Sequence, residues 1–295
     1  MSAALGKSTV VRATDIAIYV ALGLFALSTL FPLYYVFVVS VTPFKDVLRH
    51  GGFIVFPEHV TWEAYRTIFG SPVVPQAIKV TVLITVVGTV LNVLLTLLTA
   101  YPLSKKKLWG RTAVLFLMVF TMLFSGGIIP LYLTVRALGL FNTVWALIIP
   151  TALSTFNMLI VKTYLENLPA EVEEAARVDG AGDLQTLFRI VLPLSKPVIA
   201  TVALFYAVTH WNSYFAAIMY ITNRDLYPIQ VVLRNMIQSQ NLSNDLSAQY
   251  AVIQTLPPET IKMATVCVAI LPILVVYPFL QRYFVQGATL GSVKG

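Results

Sequence analysis

Six stretches of the chain contain no Asp, Glu, Lys or Arg and are long enough to cross a lipid bilayer as helices. Each stretch has at least 19 residues, and a helix needs about 20 apolar residues to cross ~30 Å of hydrocarbon. Because a backbone in lipid must satisfy its own hydrogen bonds, we expect every stretch to be helical. The six stretches are 16–44, 80–104, 112–135, 137–161, 197–223 and 263–281.

These stretches predict six transmembrane helices in a single all-α membrane domain that covers residues 1–295. The predicted helices span residues 16–40, 80–101, 112–135, 141–164, 197–221 and 261–284. The first stretch is much longer than the roughly 7–15 apolar residues of a signal peptide and is not closed by an A-x-A site, so we expect an uncleaved helix. The FSGGIIP run at 124–130 and Pro150 interrupt two stretches, and proline there predicts kinks.

The composition is that of a membrane protein. Hydrophobic residues make up 58% of the 295 residues, charged residues make up 11%, and the mean hydropathy is +0.80. A soluble domain carries about a quarter charged residues. A sequence pI near 9.4 would also suit a nucleic-acid-binding protein, but the basic residues are scattered between apolar runs. We interpret them as the Lys and Arg excess that marks the cytosolic ends of membrane helices.

The positions of Lys and Arg predict that both chain termini are cytosolic. The short, dense KKKLWGR turn at 105–111 has the greatest weight in this prediction. The cytosolic side then holds twelve basic residues: Lys7, Arg12, Lys105, Lys106, Lys107, Arg111, Lys162, Arg177, Arg189, Lys196, Arg282 and Lys294. The external side holds eight: Lys45, Arg49, Arg66, Lys79, Arg136, Arg224, Arg234 and Lys262. The polar stretch at 238–245 is expected to be an external loop.

An acid-rich stretch lies between the fourth and fifth apolar runs, on the predicted cytosolic side. It holds six of the thirteen acidic residues of the chain. Pro169 suits the first turn of a helix, and Gly180 suits the end of one. A second helix should follow, with a one-sided apolar stripe at Leu184, Leu187, Phe188 and Val191. Residues 166–193, which we call the acidic segment, are therefore predicted to form a helix–turn–helix.

One fixed spacing within the acidic segment points to a protein family. The pattern E-A-A, three residues, G, nine residues, I-x-L-P is met by Glu174-Ala175-Ala176, Gly180, Ile190 and Leu192-Pro193. This pattern resembles the E-A-A motif in the cytosolic loop of permease subunits of ATP-binding-cassette importers. Without it, a solvated amphipathic connector would be the better interpretation of such a charged stretch. The resemblance implies the fold of a type I importer permease, with six transmembrane helices.

In that family, the loop forms a coupling helix that seats in a groove on a separate ATPase subunit. The resemblance implies that Glu174 pairs with a basic residue of that subunit, while small alanines permit close approach and Gly180 permits a sharp turn. ATP and magnesium would be bound by the ATPase, and this chain would be non-catalytic, without a cofactor or metal of its own. The residues expected at the joint are Glu173, Glu174, Ala175, Ala176, Asp179, Gly180, Ile190, Leu192 and Pro193.

Further stretches resemble the carbohydrate-importing branch of the family, and especially the maltose-type second permease. These stretches are HWNSYFAAIMYIT at 210–222, LYPIQVVLRN at 226–235 and the tail YFVQGATLGSVKG at 283–295. FSGGIIPLYL at 124–133 and the run at 256–284 are closest to the branch that serves larger glycans, including the alginate importer. The resemblance implies import of oligosaccharides or polysaccharides, and the identity of the glycan stays open.

The resemblance also implies a set of partners and a location. A second permease subunit would complete the pathway as a heterodimer, with two ATPase subunits on the cytosolic side. An extracytoplasmic solute-binding protein would dock on the external loops 45–79 and 224–262. The complex would lie in the bacterial cytoplasmic (inner) membrane, as a multi-pass protein with both termini in the cytosol.

The main alternative is a secondary, ion-coupled transporter of small solutes. Such transporters place ionisable residues in mid-membrane to bind ions or protons, and the six apolar stretches contain His210 as their one group that titrates near neutrality. Residues 6–9 read GKST, but the glycine and the strand that a phosphate-binding loop needs before them are missing. A scaffold protein would leave the E-A-A motif unexplained.

Polar and aromatic residues inside the predicted helices are candidates for the sugar path. Aromatic rings stack on sugar faces and amides bind hydroxyl groups, which favours Asn157, Trp211, Asn212 and Tyr214. The ordinary alternative is that such groups hold helices together by hydrogen bonds worth about 1 kcal/mol or less. If the glycan is acidic, positive charge is expected from external residues such as Arg136 or Arg224, or from the partner permease.

Overall fold

The computed structural model describes residues 2–246 and 259–292 of the chain. Throughout these residues the regular structure is helical, with no strand. The predicted all-α class is therefore confirmed. The prediction for the last three residues of the tail at 283–295, and for residues 247–258 of the external loop, lies outside the described residues.

The first part of the chain contains four helices before the KKKLWGR turn. They are α1 (Ser2–Ser40), α2 (Phe44–Arg49), α3 (Glu63–Gly70) and α4 (Val73–Ser104). The middle part contains α5 (Arg111–Leu123), α6 (Ile128–Ala137), α7 (Trp145–Ile148), a 3-10 turn (Ile149–Thr151) and α8 (Thr155–Glu166).

The acidic segment and the elements after it complete the described chain. They are α9 (Ala170–Val178), α10 (Asp183–Thr186), a π-helical turn (Leu187–Val191), α11 (Leu192–Leu194) and α12 (Lys196–Trp211). The last elements are α13 (Phe215–Tyr220), a 3-10 turn (Arg224–Leu226), α14 (Ile229–Leu246) and α15 (Glu259–Ser292). The prediction of a loop at 238–245 is wrong, because helix α14 continues through these residues. The Gln and Leu residues there are good helix formers.

In the described residues, three helices are long and apolar enough to cross a membrane, and three bent pairs bring the number to as many as six. The pair over 111–137 replaces the single helix predicted at 112–135, since its halves meet at 115°. The break covers Phe124 to Gly127, where Phe124 is extended and Gly127 has φ 86°. Only glycine adopts such a positive φ without strain, so the FSGG run dictates the break.

Two further helix pairs are bent, the first of them at a position predicted from the sequence. Residues 145–151 and 155–166 meet at 51°, just after Pro150. Residues 183–194 and 196–211 meet at 87°, where the acidic segment turns into α12. Pro193 and Pro197 lie on either side of this bend, and neither can donate a backbone hydrogen bond across it.

The described residues form two units. One unit comprises residues 2–71, 236–246 and 259–268. Its core contains Val38, Val39, Val47 and Ile54. The Ser40 and Tyr65 hydroxyls lie 2.8 Å apart beside this core.

The other unit comprises residues 72–235 and 269–292 and contains the acidic segment. One of its apolar clusters includes Leu97, Met158, Leu187, Val191 and Val202, so α4, α8 and α12 pack together with the acidic segment. A second cluster, nearer the other end of α12, includes Ile84, Ile148, Tyr220 and Val231.

Candidate functional site

Helix α9 has two contrasting faces. Glu171, Glu174, Ala175 and Val178 follow the i, i+3, i+4, i+7 spacing of one face, and all four are exposed. Val178 is 87% exposed. On the opposite face Ala176 is buried against the rest of the unit. The helix therefore presents a small surface that combines acids with an apolar side chain, and the described part of the chain leaves this surface uncovered.

A tight turn and an apolar strip fix α9 to the bundle. Gly180 has φ 78°, and the Ala181 amide donates to the Ala176 carbonyl at 2.9 Å, which satisfies an end-of-helix acceptor. Leu187 and Val191 are fully buried in the cluster with α4 and α8. Of the motif positions, Ile190 and Leu192 are half-buried, whereas Asp179 and Pro193 are exposed.

The two neighbouring glutamates of α9 have different surroundings. The Lys105 ammonium donates to both carboxylate oxygens of Glu173 and lies 4.4 Å from the centre of the Tyr101 ring. Glu174 makes no hydrogen bond or ion pair with the described part of the chain. Glu173 is thus engaged inside the permease, while Glu174 is open to another molecule.

A second ion-pair cluster ties the same basic turn, residues 105–111, to α8. Glu166 accepts from the Arg111 guanidinium, and its other oxygen lies 2.8 Å from the Lys162 ammonium. Arg111 Nε also donates to the Leu103 carbonyl at 2.8 Å, which closes the turn between α4 and α5. Sequence reasoning missed these pairs, although the basic 105–111 turn and the acidic segment were both predicted on the cytosolic side.

Asn157 lies at a cavity of about 570 Å³ where the chain breaks between α7 and α8. The lining combines hydroxyl groups, an amide and aromatic rings. It comprises Pro150, Thr151, Leu153, Ser154, Phe156, Asn157, Phe205, Tyr206 and Thr209. The Tyr206 hydroxyl lies 2.8 Å from Thr96 Oγ1 and accepts from the Ser154 amide at 3.0 Å, so the wall of the cavity is held in place.

A buried polar network adjoins this cavity. The Asn92 amide nitrogen lies 3.0 Å from both the Thr151 carbonyl and His210 Nε2, and donates to each. His210 is only 2% exposed. A Cβ at Gly88 would lie 2.5 Å from His210 Nε2, so only glycine leaves room for the imidazole. These residues fit the helix-joining role considered for them from sequence.

The other three candidate path residues lie at the far end of α12 and do not line the Asn157 cavity. Trp211 is 6% exposed, and its Nε1–H donates to the Ala269 carbonyl at 3.1 Å. This contact gives the indole a packing role. Asn212 is exposed, and its Oδ1 accepts from Gln230 Nε2 at 3.5 Å.

Tyr214 has a partner that sequence reasoning missed. The guanidinium carbon of Arg234 lies 4.9 Å from the centre of the Tyr214 ring. Arg234 had been counted only as one external base among eight. The sequence did contain a sign that these residues act together, because Gln230 and Arg234 are four residues apart and therefore share a face of α14.

Comparison with known proteins places this geometry in a family. A family profile described as "Binding-protein-dependent transport system inner membrane component" matches residues 1–289. The chain is similar to the polygalacturonan/rhamnogalacturonan transport system permease protein YtcP of Bacillus subtilis, with 46% identity over 96% of this chain and 99% of the relative. It is also similar to the protein LplC of the same organism, with 44% identity over 96% of each chain.

A solved structure has the same fold. It is the crystal structure of a bacterial ABC transporter involved in the import of the acidic polysaccharide alginate. The matching chain superposes with a TM-score of 0.83 and 33% identity, over 92% of this chain and 97% of that one.

Proposed function

This chain belongs to the family of binding-protein-dependent transport system inner membrane components, and we propose that it forms half of the translocation path of an ATP-driven importer for oligosaccharides or polysaccharides. As in its family, it is a non-catalytic membrane component. The carbohydrate class is supported by the relative named for polygalacturonan and rhamnogalacturonan and by the structural neighbour named for alginate.

The observation that carries the proposal is the exposed face of α9. Glu174 and Val178 are both accessible there, and Ala175 between them is small enough to let another protein approach closely. A charge-assisted hydrogen bond from Glu174 would contribute roughly 1.5–3 kcal/mol. The part of this face from Glu174 to Val178 would seat on an ATPase subunit, and the motif residues from Asp179 onward would form the rest of the joint.

The proposed mechanism is a shift of the equilibrium between two conformations of the permease, inward-open and outward-open. ATP and magnesium bound by the ATPase pair would close it, and the acidic segment would move with it. The ion pairs of Glu173 and Glu166 would carry that movement to the ends of α4, α5 and α8. The ATPase state thereby changes the equilibrium between inward-open and outward-open permease through a contact energy that differs between the two.

The remaining partners complete the same scheme. A second permease subunit would supply the other half of the path, and an extracytoplasmic binding protein would deliver the glycan to residues 45–79 and 224–262. Both termini and the acidic segment would be cytosolic, in the inner membrane. The Asn157 cavity and the Asn212 and Tyr214 side chains are the proposed sugar contacts.

A charge reversal tests the coupling role. Glu174→Lys should abolish ATP-dependent glycan uptake, because a lysine would face the basic residue expected on the ATPase. Membrane insertion should persist, since Glu174 is exposed and makes no hydrogen bond or ion pair within the described chain. Glu171→Lys is the matched control, because it changes the same charge on the same exposed face one turn earlier, outside the motif. Normal uptake by Glu174→Lys, or equal loss in both variants, would contradict the assignment.

A further inference from the structure

Arg234 and three neighbours form a polar cluster at the end of α12 opposite the acidic segment. We propose that Arg234 binds a carboxylate of the transported glycan, so that the substrate contains uronic acid units. The inference rests on the proposed import of a glycan and adds both a substrate class and a residue that recognises it. The cluster, which we call the arginine cluster, comprises Asn212, Tyr214, Gln230 and Arg234.

The Arg234 guanidinium is oriented by an aromatic ring. Its central carbon lies 4.9 Å from the centre of the Tyr214 ring, within the range of a cation–π contact. A contact with a ring face does not use the in-plane N–H donors of a guanidinium. Those donors match the geometry of a carboxylate, which arginine binds through two parallel hydrogen bonds.

Arg234 has no acidic partner among the residues whose side chains the structure describes. Across residues 14–238, the ion pairs of arginine involve Arg111 and Arg177, and no carboxylate lies within 4.0 Å of the Arg234 guanidinium. Arg234 is nevertheless half-buried. A partly desolvated cation gains more from an incoming anion than a fully hydrated one does, because water screens the attraction less.

The neighbours of Arg234 supply the remaining groups that a sugar acid needs. Gln230 lies one turn earlier on α14, and its amide meets Asn212 at 3.5 Å. That distance is at the limit of a hydrogen bond, so both amides can exchange it for contacts with sugar hydroxyls. Together with the Tyr214 ring, the cluster offers a charge for the carboxylate, amides for hydroxyls and an apolar surface.

The backbone that carries Arg234 is firmly held. At the start of α14, the Ile229 amide donates a buried hydrogen bond to Thr81 Oγ1 at 2.8 Å. Val231 and Val232, which follow on the same helix, are both buried. A site on a fixed helix holds its geometry better than a site on a loop. The arginine cluster is therefore preorganised for binding.

The sequence had directed attention to Arg136 and Arg224 as sources of positive charge. Both are exposed, and in the described part of the chain neither has a ring contact like that of Arg234. An exposed arginine attracts any anion weakly and is screened by salt. Arg136 therefore serves as the matched control, since it is an exposed arginine in the same unit and lies outside the residues proposed to receive the binding protein.

The test compares uptake of trigalacturonate with uptake of the galactotriose obtained from it by carboxyl reduction. The two probes have the same length and linkage and differ in charge. The assay uses cells that express the complete importer with wild-type, Arg234→Gln, Arg234→Lys or Arg136→Gln permease. We expect Arg234→Gln to lower the uptake efficiency of the acidic probe roughly 10- to 100-fold, as expected for loss of a charge-assisted pair.

The neutral probe serves as the internal control for folding and assembly. Uptake of the neutral probe should not change in Arg234→Gln. Arg234→Lys should retain part of the uptake of the acidic probe, because lysine keeps the positive charge but lacks the two parallel N–H donors of arginine. Arg136→Gln should leave the uptake of both probes unchanged. Equal loss of both probes in Arg234→Gln would overturn the inference and indicate a contact with another subunit, and loss of neither would overturn it too.

Two results separate this inference from the proposed function. If the wild-type importer takes up galactotriose or another neutral oligosaccharide but not trigalacturonate, glycan import stands and the acidic class is wrong. If ATP-dependent uptake fails for every saccharide, acidic and neutral, the proposed function itself is wrong.

Discussion

The Lys105–Glu173 ion pair predicts how strongly the acidic segment is linked to α4. The ammonium is 30% exposed and the carboxylate 17% exposed, so the pair lies between two measured regimes. Exposed pairs contribute about 0.2–1 kcal/mol, whereas breaking a buried pair costs about 3–5 kcal/mol. We expect roughly 1–2 kcal/mol here, which corresponds to a factor of about 5–30 in the population of the docked segment.

Charge reversal isolates this contribution. Lys105→Glu and Glu173→Lys should each lower the number of sugar molecules imported per ATP hydrolysed, because the ATPase movement no longer reaches α4 efficiently. The double variant restores opposite charges and should recover most of that ratio. The measurement is simultaneous sugar uptake and phosphate release in proteoliposomes that contain the complete importer.

Lys106→Glu is the matched control for this cycle. Lys106 is exposed and makes no ion pair with the described chain, so its reversal should leave the ratio unchanged. A double variant as impaired as the single variants would refute the reasoning, since it would show that the two charges act independently. A normal ratio in both single variants would refute it as well.

Two further predictions concern topology and packing. Val178→Cys, in a background whose native cysteine is replaced by serine, should react with a membrane-impermeant maleimide in inside-out vesicles but not in intact cells; labelling in intact cells would reverse the proposed orientation. Gly88→Ala should lower the thermal stability of the detergent-purified protein by about 1–3 kcal/mol, because overpacking would displace His210. Gly23→Ala should not lower the thermal stability, because the space around Gly23 is open. An equal loss of stability in both variants would contradict the packing argument.

The all-α class could be predicted from the sequence because charge-free length is a direct requirement of a helix in lipid. The bends at Gly127 and Pro150 were also visible as residues that interrupt a helix. Their size was not, since the 115° angle depends on backbone torsion at several successive residues. The polar residues at 238–245 suggested a loop, yet they form the last turns of α14, because several of them are good helix formers and the helix is already established before them.

Side-chain partners were harder to predict. Both ends of the Lys105–Glu173 pair were predicted to lie on the same side of the membrane, but 68 positions separate them and only the packed bundle brings them together. Arg234 looked like one of many external bases until the structure set it over Tyr214. Charge counting records the side of the membrane on which a residue lies, whereas recognition depends on what surrounds that residue.

The hydrogen bonds of Asn92 and Tyr206 restrict how the permease can move. Separating α4 from α12 would break these interhelical hydrogen bonds, worth about 1 kcal/mol or less each, and would also open the apolar cluster that the two helices share. We therefore expect α4 and α12 to move together as one body, with the hinges of the transport cycle at the broken spans on either side.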